Sequence, residues 1–273
     1  MSTALEYRQW DAPAAISSAV RCIWSLRGHA DGSTQPIVSD GCVEIVLNLA
    51  DAFEQVTDTG AAAQPLAMVV GPTALPTVVR PSGVIDVLGI RLQPWAAARA
   101  LGVGMQKLRD RNVPLADVLR GPMRHLPEQV VGARTDAERL AAVVGTLMAA
   151  LPRETSGVAR RAVERVTASG EVPSVQRLAD TLGRSTRTVQ RVFADDVGLS
   201  PKTLLRIVRI QRALGLALSS PALRWSAIAA RAGYHDQSHF GRDFRGLVGC
   251  TPTQFRPDDA TLTASFVEEA AGA

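Results

Sequence analysis

One pattern occurs twice between Ser174 and Arg256, and it limits the fold of that stretch more than any other feature of the chain. The first copy reads Ser174-Val-Gln-Arg-Leu-Ala-Asp-Thr-Leu-Gly183, then Arg-Ser-Thr-Arg-Thr-Val-Gln-Arg-Val-Phe193. The second reads Trp225-Ser-Ala-Ile-Ala-Ala-Arg-Ala-Gly233, then Tyr-His-Asp-Gln-Ser-His-Phe-Gly-Arg-Asp-Phe244. Each joins a short amphipathic segment, a glycine, a polar residue able to accept the free amides of a new helix, and a second amphipathic segment ending in Phe. That is the sequence form of a helix-turn-helix, and two copies imply two heads that read DNA.

In the first head, Ser174 is expected to cap a helix that buries Val175, Leu178, Ala179 and Leu182, and Ser185 to cap the next. Burial of Val189, Val192 and Phe193 leaves Thr186, Arg187, Thr188, Gln190 and Arg191 facing outward. Arg can grip guanine and Gln can grip adenine through paired hydrogen bonds, so Arg187, Gln190 and Arg191 are the expected base readers, with Thr186 beside them. Ser200-Pro201 opens a long helix to about Leu218, ended by Ser219-Ser-Pro221. Its length of about 27 Å suits a spacer between heads that enter successive major grooves about 34 Å apart. In the second head Trp225, Ile228, Ala229, Phe240 and Phe244 are expected inside, Tyr234 as an anchor and Asp236 as the cap. Gln237, Ser238, His239, Gly241 and Arg242 then face outward, and Arg245 is expected on phosphate. For His239 both a DNA contact and a satisfied surface position fit the spacing.

Charge follows the same division. Residues 158–257 carry 16 Lys and Arg against 7 Asp and Glu, residues 1–157 carry 14 against 15, and the acidic, Ala-rich segment 258–273 adds four acids and no cation. Arg-rich helices are often merely solvated, but here the cationic excess falls on the doubled motif, as a phosphate-binding surface requires. No basic start followed by an apolar run marks the first 21 residues, and the uncharged apolar stretch Leu140 to Pro152 is too short to span a bilayer. A cytoplasmic protein with no membrane contact is expected. Cys22, Cys42 and Cys250 are too far apart in sequence to suggest a disulfide framework or a metal cluster, and reduced thiols are expected.

The first 95 residues read as β. Strands are expected over Ser18 to Leu26, Val43 to Leu49, Leu66 to Val70, Thr77 to Arg80 and, after a Pro81-Ser-Gly83 turn, Val84 to Leu92. Val43 to Leu49 alternates, with Val43, Ile45, Leu47 and Leu49 on one face and Cys42, Glu44, Val46 and Asn48 on the other. Short strands of this kind form a small barrel or sandwich able to enclose a ligand, and Trp24, Val46 and Val87, together with the scarcity of charge, suggest an apolar one. Beyond Gln93-Pro94 the period becomes helical: a short helix over Pro94 to Leu101, a turn over Asp117 to Leu119, and a helix over Asp136 to Leu151 capped by Asp136. Its stripe of Leu140, Val143, Val144, Leu147, Met148 and Leu151 either packs on its own domain or makes a homodimer contact. Four parts follow: a β-rich sensory or dimerisation domain with helices at its end over 1–152, a linker over 153–157, a helical DNA-binding domain over 158–257 and a tail over 258–273.

Residues 158–257 resemble the DNA-binding domain of the AraC/XylS family of bacterial transcription regulators. The resemblance rests on Leu178-Ala179, Ser185, Arg191-Val-Phe193, Gly198-Leu-Ser-Pro201, Ile228-Ala229, Gly233-Tyr234, Asp236-Gln-Ser-His-Phe240, Phe244, Gly249-Cys-Thr-Pro252 and Phe255-Arg256. Tyr234 stands where the family usually has Phe, and Cys250 where it tends to have an aliphatic residue. Ser39 to Asn48 and Gly89 to Pro94 resemble an uncharacterised β-rich domain found ahead of such heads and related in shape to cupin-like sensory domains. The resemblance implies an α+β chain, a promoter as partner, a small effector or a dimer contact in the first domain, and RNA polymerase as a further partner where transcription is activated. Cupin-like metal sites use clustered His and Glu, and His29, Asp40 and Glu44 without a His pair do not supply one. The competing class is an enzyme resembling the DNA-repair methyl acceptors, which couple such heads to a zinc-held cysteine. Three scattered cysteines argue against it, so no catalytic residue, metal or cofactor is expected.

Overall fold

Alternating side chains on a single strand divide the N-terminal domain into two packing layers. In the computed structural model, which describes residues 5–151, 157–168, 174–256, 262, 263 and 267, that strand is β4 (Val43–Asn48). Val43, Ile45 and Leu47 enter a core shared with helices, whereas Val46 enters a core between two sheets, as a period of two demands. The first sheet has the order β1-β2-β9-β4-β7-β10, formed by Glu6–Asp11, Val20–Asp31, Ser82–Leu92, Val43–Asn48, Ala67–Val70 and Asn112–Pro114. The second, β3-β8-β5-β6, comprises Gln35–Ile37, Thr77–Arg80, Glu54–Thr57 and Gly60–Ala63. All pairings are antiparallel.

Five of these strands lie where hydrophobic alternation places them, although β2 runs on to Asp31 and β9 begins at Ser82, so that the turn shrinks to Pro81. The remainder are short or polar. β6 reads Gly-Ala-Ala-Ala and is wholly exposed, and β1 reads Glu-Tyr-Arg-Gln-Trp-Asp; neither carries a clear apolar period.

The outer face of the first sheet is covered by α1 (Ala97–Leu101), α2 (Leu115–Val118), α3 (Leu126–Gly132) and α4 (Asp136–Ala150). One correction applies to α4. Its cap is Thr135, whose hydroxyl accepts the Glu138 amide at 3.2 Å, because Thr135 has the extended backbone a capping residue needs. Asp136 instead takes the Arg27 guanidinium, beside the Asp86 carboxylate, which Arg27 and Arg139 both reach. The apolar stripe packs on its own domain: Val143 and Leu147 are buried, and only Met148, 58% exposed, points away.

The C-terminal domain is all helix: α5 (Gly157–Ala168), α6 (Val175–Leu182), α7 (Thr186–Val192), α8 (Pro201–Ser219), α9 (Trp225–Arg231) and α10 (Gln237–Val248). The expected linker over 153–157 lies outside the described residues except for Gly157, which begins α5. After α7 the chain makes one wide π turn, Phe193–Val197, before Ser200 caps α8 with Pro201 at its first position. Helix α8 buries ten residues and contacts both heads. It also meets the β domain. The buried Gln211 carboxamide donates to the carbonyls of Val38 at 3.1 Å and Ser39 at 2.8 Å. Gly41, at φ +82°, lies so close to Leu204 that a Cβ there would sit 2.8 Å from Leu204 Cδ1.

Within the segment 258–273, Leu262 is buried in the core between the two sheets, the Thr263 hydroxyl donates to Pro36 O at 2.5 Å, and Val267 is buried in the helical core. The acidic composition of this segment conceals these anchors. Leu262→Ala is expected to lower the unfolding free energy of the full chain by about 2 to 3 kcal/mol, the cost of deleting a buried leucine. Denaturant titration checks it, and a wild-type midpoint would contradict the docking.

Candidate DNA-reading surface and effector cavity

Each head is built by a capped second helix. The Ser185 hydroxyl accepts the Thr188 amide at 3.2 Å, and the Asp236 carboxylate accepts the Ser238 and His239 amides at 2.9 and 3.2 Å. Each cap fixes the start of the helix and hence its exposed face. In α7, Arg187, Gln190 and Arg191 are exposed and Thr186 is half-buried, whereas the Thr188 hydroxyl turns back to Ser185 Oγ at 2.9 Å. In and beside α10, Gln237, Ser238, Arg242 and Arg245 are exposed. His239 differs: its Nε2 lies 3.3 Å from Asp243 Oδ2 and its ring stands edge-on to Tyr234.

The arginines of the two faces are set apart from those that hold the fold. Arg160 pairs with Glu164, Arg206 with Asp243 and Arg139 with Asp86. Among the described residues, Arg187, Arg191, Arg242 and Arg245 have no carboxylate within 4.0 Å. Four guanidiniums without acidic partners, beside Gln190 and Gln237, offer donors and positive charge to phosphates and base edges.

A buried carboxylate, unremarked in the sequence, ties the second head to the spacer. Asp243 accepts from Arg206 Nε of α8 at 2.7 Å and from the Tyr234 hydroxyl at 3.2 Å. Burial, reinforced by the Asp243 charge, pushes the Tyr234 phenol well above its ordinary pKa, which keeps it a donor. Trp225 packs against Phe240, Phe244 and Phe255, closing the head from the other side. The clue in the sequence was an acid at the one position between Arg242 and Phe244 that helical spacing turns inward.

A second site lies between the two sheets. Trp24, Val46 and Val87, the three residues expected around a ligand, all line a cavity of about 110 Å³. Gly89 makes room for the first: a Cβ there would fall 2.0 Å from Trp24 Cε2. The expectation of little charge is overturned, because one end of the cavity holds Asp40, Glu44 and Arg91. Arg91 Nε lies 2.6 Å from Glu44 Oε1 and 3.3 Å from Asp40 Oδ2, with a side chain only 3% exposed. Burial, helped by the neighbouring Asp40, pushes the Glu44 carboxyl up despite Arg91. Burial raises Asp40 too, but Arg91 and Arg21 outweigh it and hold that carboxyl below its usual range. An arginine in the otherwise apolar run Leu88-Gly-Ile-Arg-Leu92 was the sequence signal of this cluster. His29 is exposed on β2, and among the described residues no group of three or more His, Cys, Asp or Glu side chains is arranged to hold a metal ion. The three cysteines are free thiols.

Comparison with known proteins bears on both halves. Residues 178–258 match the family model of a helix-turn-helix domain. The C-terminal domain is an AraC-type DNA-binding domain. Residues 8–114 match a domain of unknown function (DUF6597). An uncharacterized HTH-type transcriptional regulator of Haemophilus influenzae is 32% identical over 82 residues, which are 30% of this chain and 27% of that protein, so the chain matches only about a quarter of the relative's length. Among solved structures, ToxT from Vibrio cholerae is 10% identical, over 98% of this chain and 99% of ToxT, with a TM-score of 0.48. The C-terminal domain of AraT, a response regulator from Geobacillus stearothermophilus, is 28% identical over 38% of this chain and 86% of its own, with a TM-score of 0.35. The match takes in α7 to α10, and so the second helix of each head. No described helix is long and apolar enough to cross a membrane.

Asp243→Asn is expected to cost about 2 kcal/mol of stability, the scale of a hydrogen bond to a charged group, because it leaves Arg206 without its carboxylate. It should weaken binding to all operator sequences alike, since it loosens the head without touching a base reader. Denaturation and gel-shift titrations on a set of operator variants check both; relaxed discrimination at a single base pair would contradict the structural role.

Proposed function

We propose that the chain regulates transcription by reading a promoter with α7 and α10 in two successive major grooves, under the control of a small effector held between the sheets of its first domain. The observation that carries the DNA reading is the pair of capped helices whose exposed faces carry arginines without acidic partners. Helix α8, with 19 residues, is about 28 Å long, which suits heads separated by one turn of DNA. Arg187, Gln190 and Arg191 of α7 and Gln237 and Arg242 of α10 read bases in this account, with Thr186 and Ser238 at the edges. His239, engaged by Asp243, contributes less, and Arg245 meets phosphate.

Control by an effector is favoured by a shared segment. Val38, Ser39 and Asp40 line the cavity, and the carbonyls of Val38 and Ser39 receive Gln211 of the helix that carries both heads. A ligand that shifts this segment changes the contacts of α8, which couples occupancy of the cavity to the placement of the heads.

Arg191→Ala and Arg242→Ala are each expected to cost about 1 to 3 kcal/mol of specific binding and to relax one operator position. Gel-shift titrations at fixed salt, with operators selected from random sequence, measure this. Wild-type affinity and discrimination in both variants would remove α7 and α10 from base reading.

A further inference from the structure

The cavity between the sheets is mostly apolar, but its polar end has a definite chemical sense. Asn48, only 6% exposed, lines it and spends its amide nitrogen on Pro65 O at 3.4 Å, while its Oδ1 is buried with no hydrogen-bond partner. A buried acceptor left unmade is costly, so it marks a position where a ligand donor gains a full hydrogen bond. The charges nearby point the same way. Two carboxylates, Asp40 and Glu44, line the cavity together with one arginine, and Arg91 is committed to both of them. Arg21, the next cation, lies 4.0 Å from Asp40 and is not among the lining residues. An anion entering here would meet two acids and no uncommitted cation, at the cost of its own desolvation.

Most of the remaining wall is hydrocarbon and aromatic, with Trp24, Phe53, Met68, Val87 and, from the C-terminal segment, Leu262, and its other polar residues, such as Gln64 and Asn112, are uncharged. A volume of about 110 Å³ holds on the order of seven to eleven non-hydrogen atoms, taking roughly 10–15 Å³ for each water-sized occupant. We infer that the effector is a small, largely apolar and aromatic molecule whose polar group is a neutral or cationic hydrogen-bond donor, a phenolic hydroxyl or an amine, facing Asn48 and the Glu44–Asp40 end, and that carboxylates are rejected. The inference rests on the effector reading of the cavity and adds its selectivity.

Isothermal titration of the full chain with 4-ethylphenol, 2-phenylethylamine, 4-ethylanisole and 4-methylbenzoate separates the two. The expected result is binding of the phenol or the amine about tenfold or more tightly than the methyl ether and the carboxylate, as a hydrogen bond to a buried acceptor gives. Asn48→Leu should bring the phenol down to the level of the ether; should that variant fail to fold, the four-probe comparison on the wild-type chain decides alone. Binding of the carboxylate or the ether as tightly as the phenol and the amine overturns the donor inference and leaves the effector reading standing. No binding of any probe at millimolar concentration overturns both.

Discussion

Helix α8 is the element on which the rest of the structure depends, and the polar bonds at its sides fix what it carries. Its buried face supplies the common core of both heads, so neither can be placed without it. Arg206 binds the Asp243 carboxylate of the second head, and Gln211 binds the backbone of the segment that closes the β domain. One side of the helix thus positions the second head, while another holds the backbone of a domain far away in sequence. A carboxamide suits the second task, because its two donors can be made or released without leaving a buried charge.

The contrast between the heads follows from their surroundings. The first is held to the β domain through the π turn after α7, where Asp195 Oδ1 accepts from Gln106 at 3.1 Å and Gly198 packs on Pro72 and Met105. The second is held by the Asp243 cluster and its aromatic packing, and Gly249 makes a looser approach to Pro76. A change in the β domain therefore bears first on α7 and α8, and on α10 through α8.

Much of this was legible in the sequence wherever local chemistry decides the outcome. The caps Ser174, Ser185, Ser200 and Asp236 and the break after α8 fall at the residues that can accept free amides or cannot continue a helix. Alternation along β4 separated its two faces, and the one with Glu44, Val46 and Asn48 is the face that lines the cavity. What was hidden depends on contacts between distant residues. Asp243 gains its role only when α8 and α10 meet, and the Arg91 cluster only when β4 and β9 pair. Short polar strands such as β1 and β6 exist because a neighbour offers an edge, and Leu262 is buried because two sheets leave a gap. Asp136 looked like a cap by type and is an ion-pair partner by geometry, a difference that backbone angles at Thr135 decide.

In the proposed function α8 holds the two heads so that they read one face of the duplex together. Hydroxyl-radical footprinting of the full chain on a selected operator tests it most directly. Two protected patches on the same face, centred about 10 base pairs apart, are the predicted result, since one helical turn separates successive major grooves. A single protected patch, or two on opposite faces of the duplex, would contradict the account.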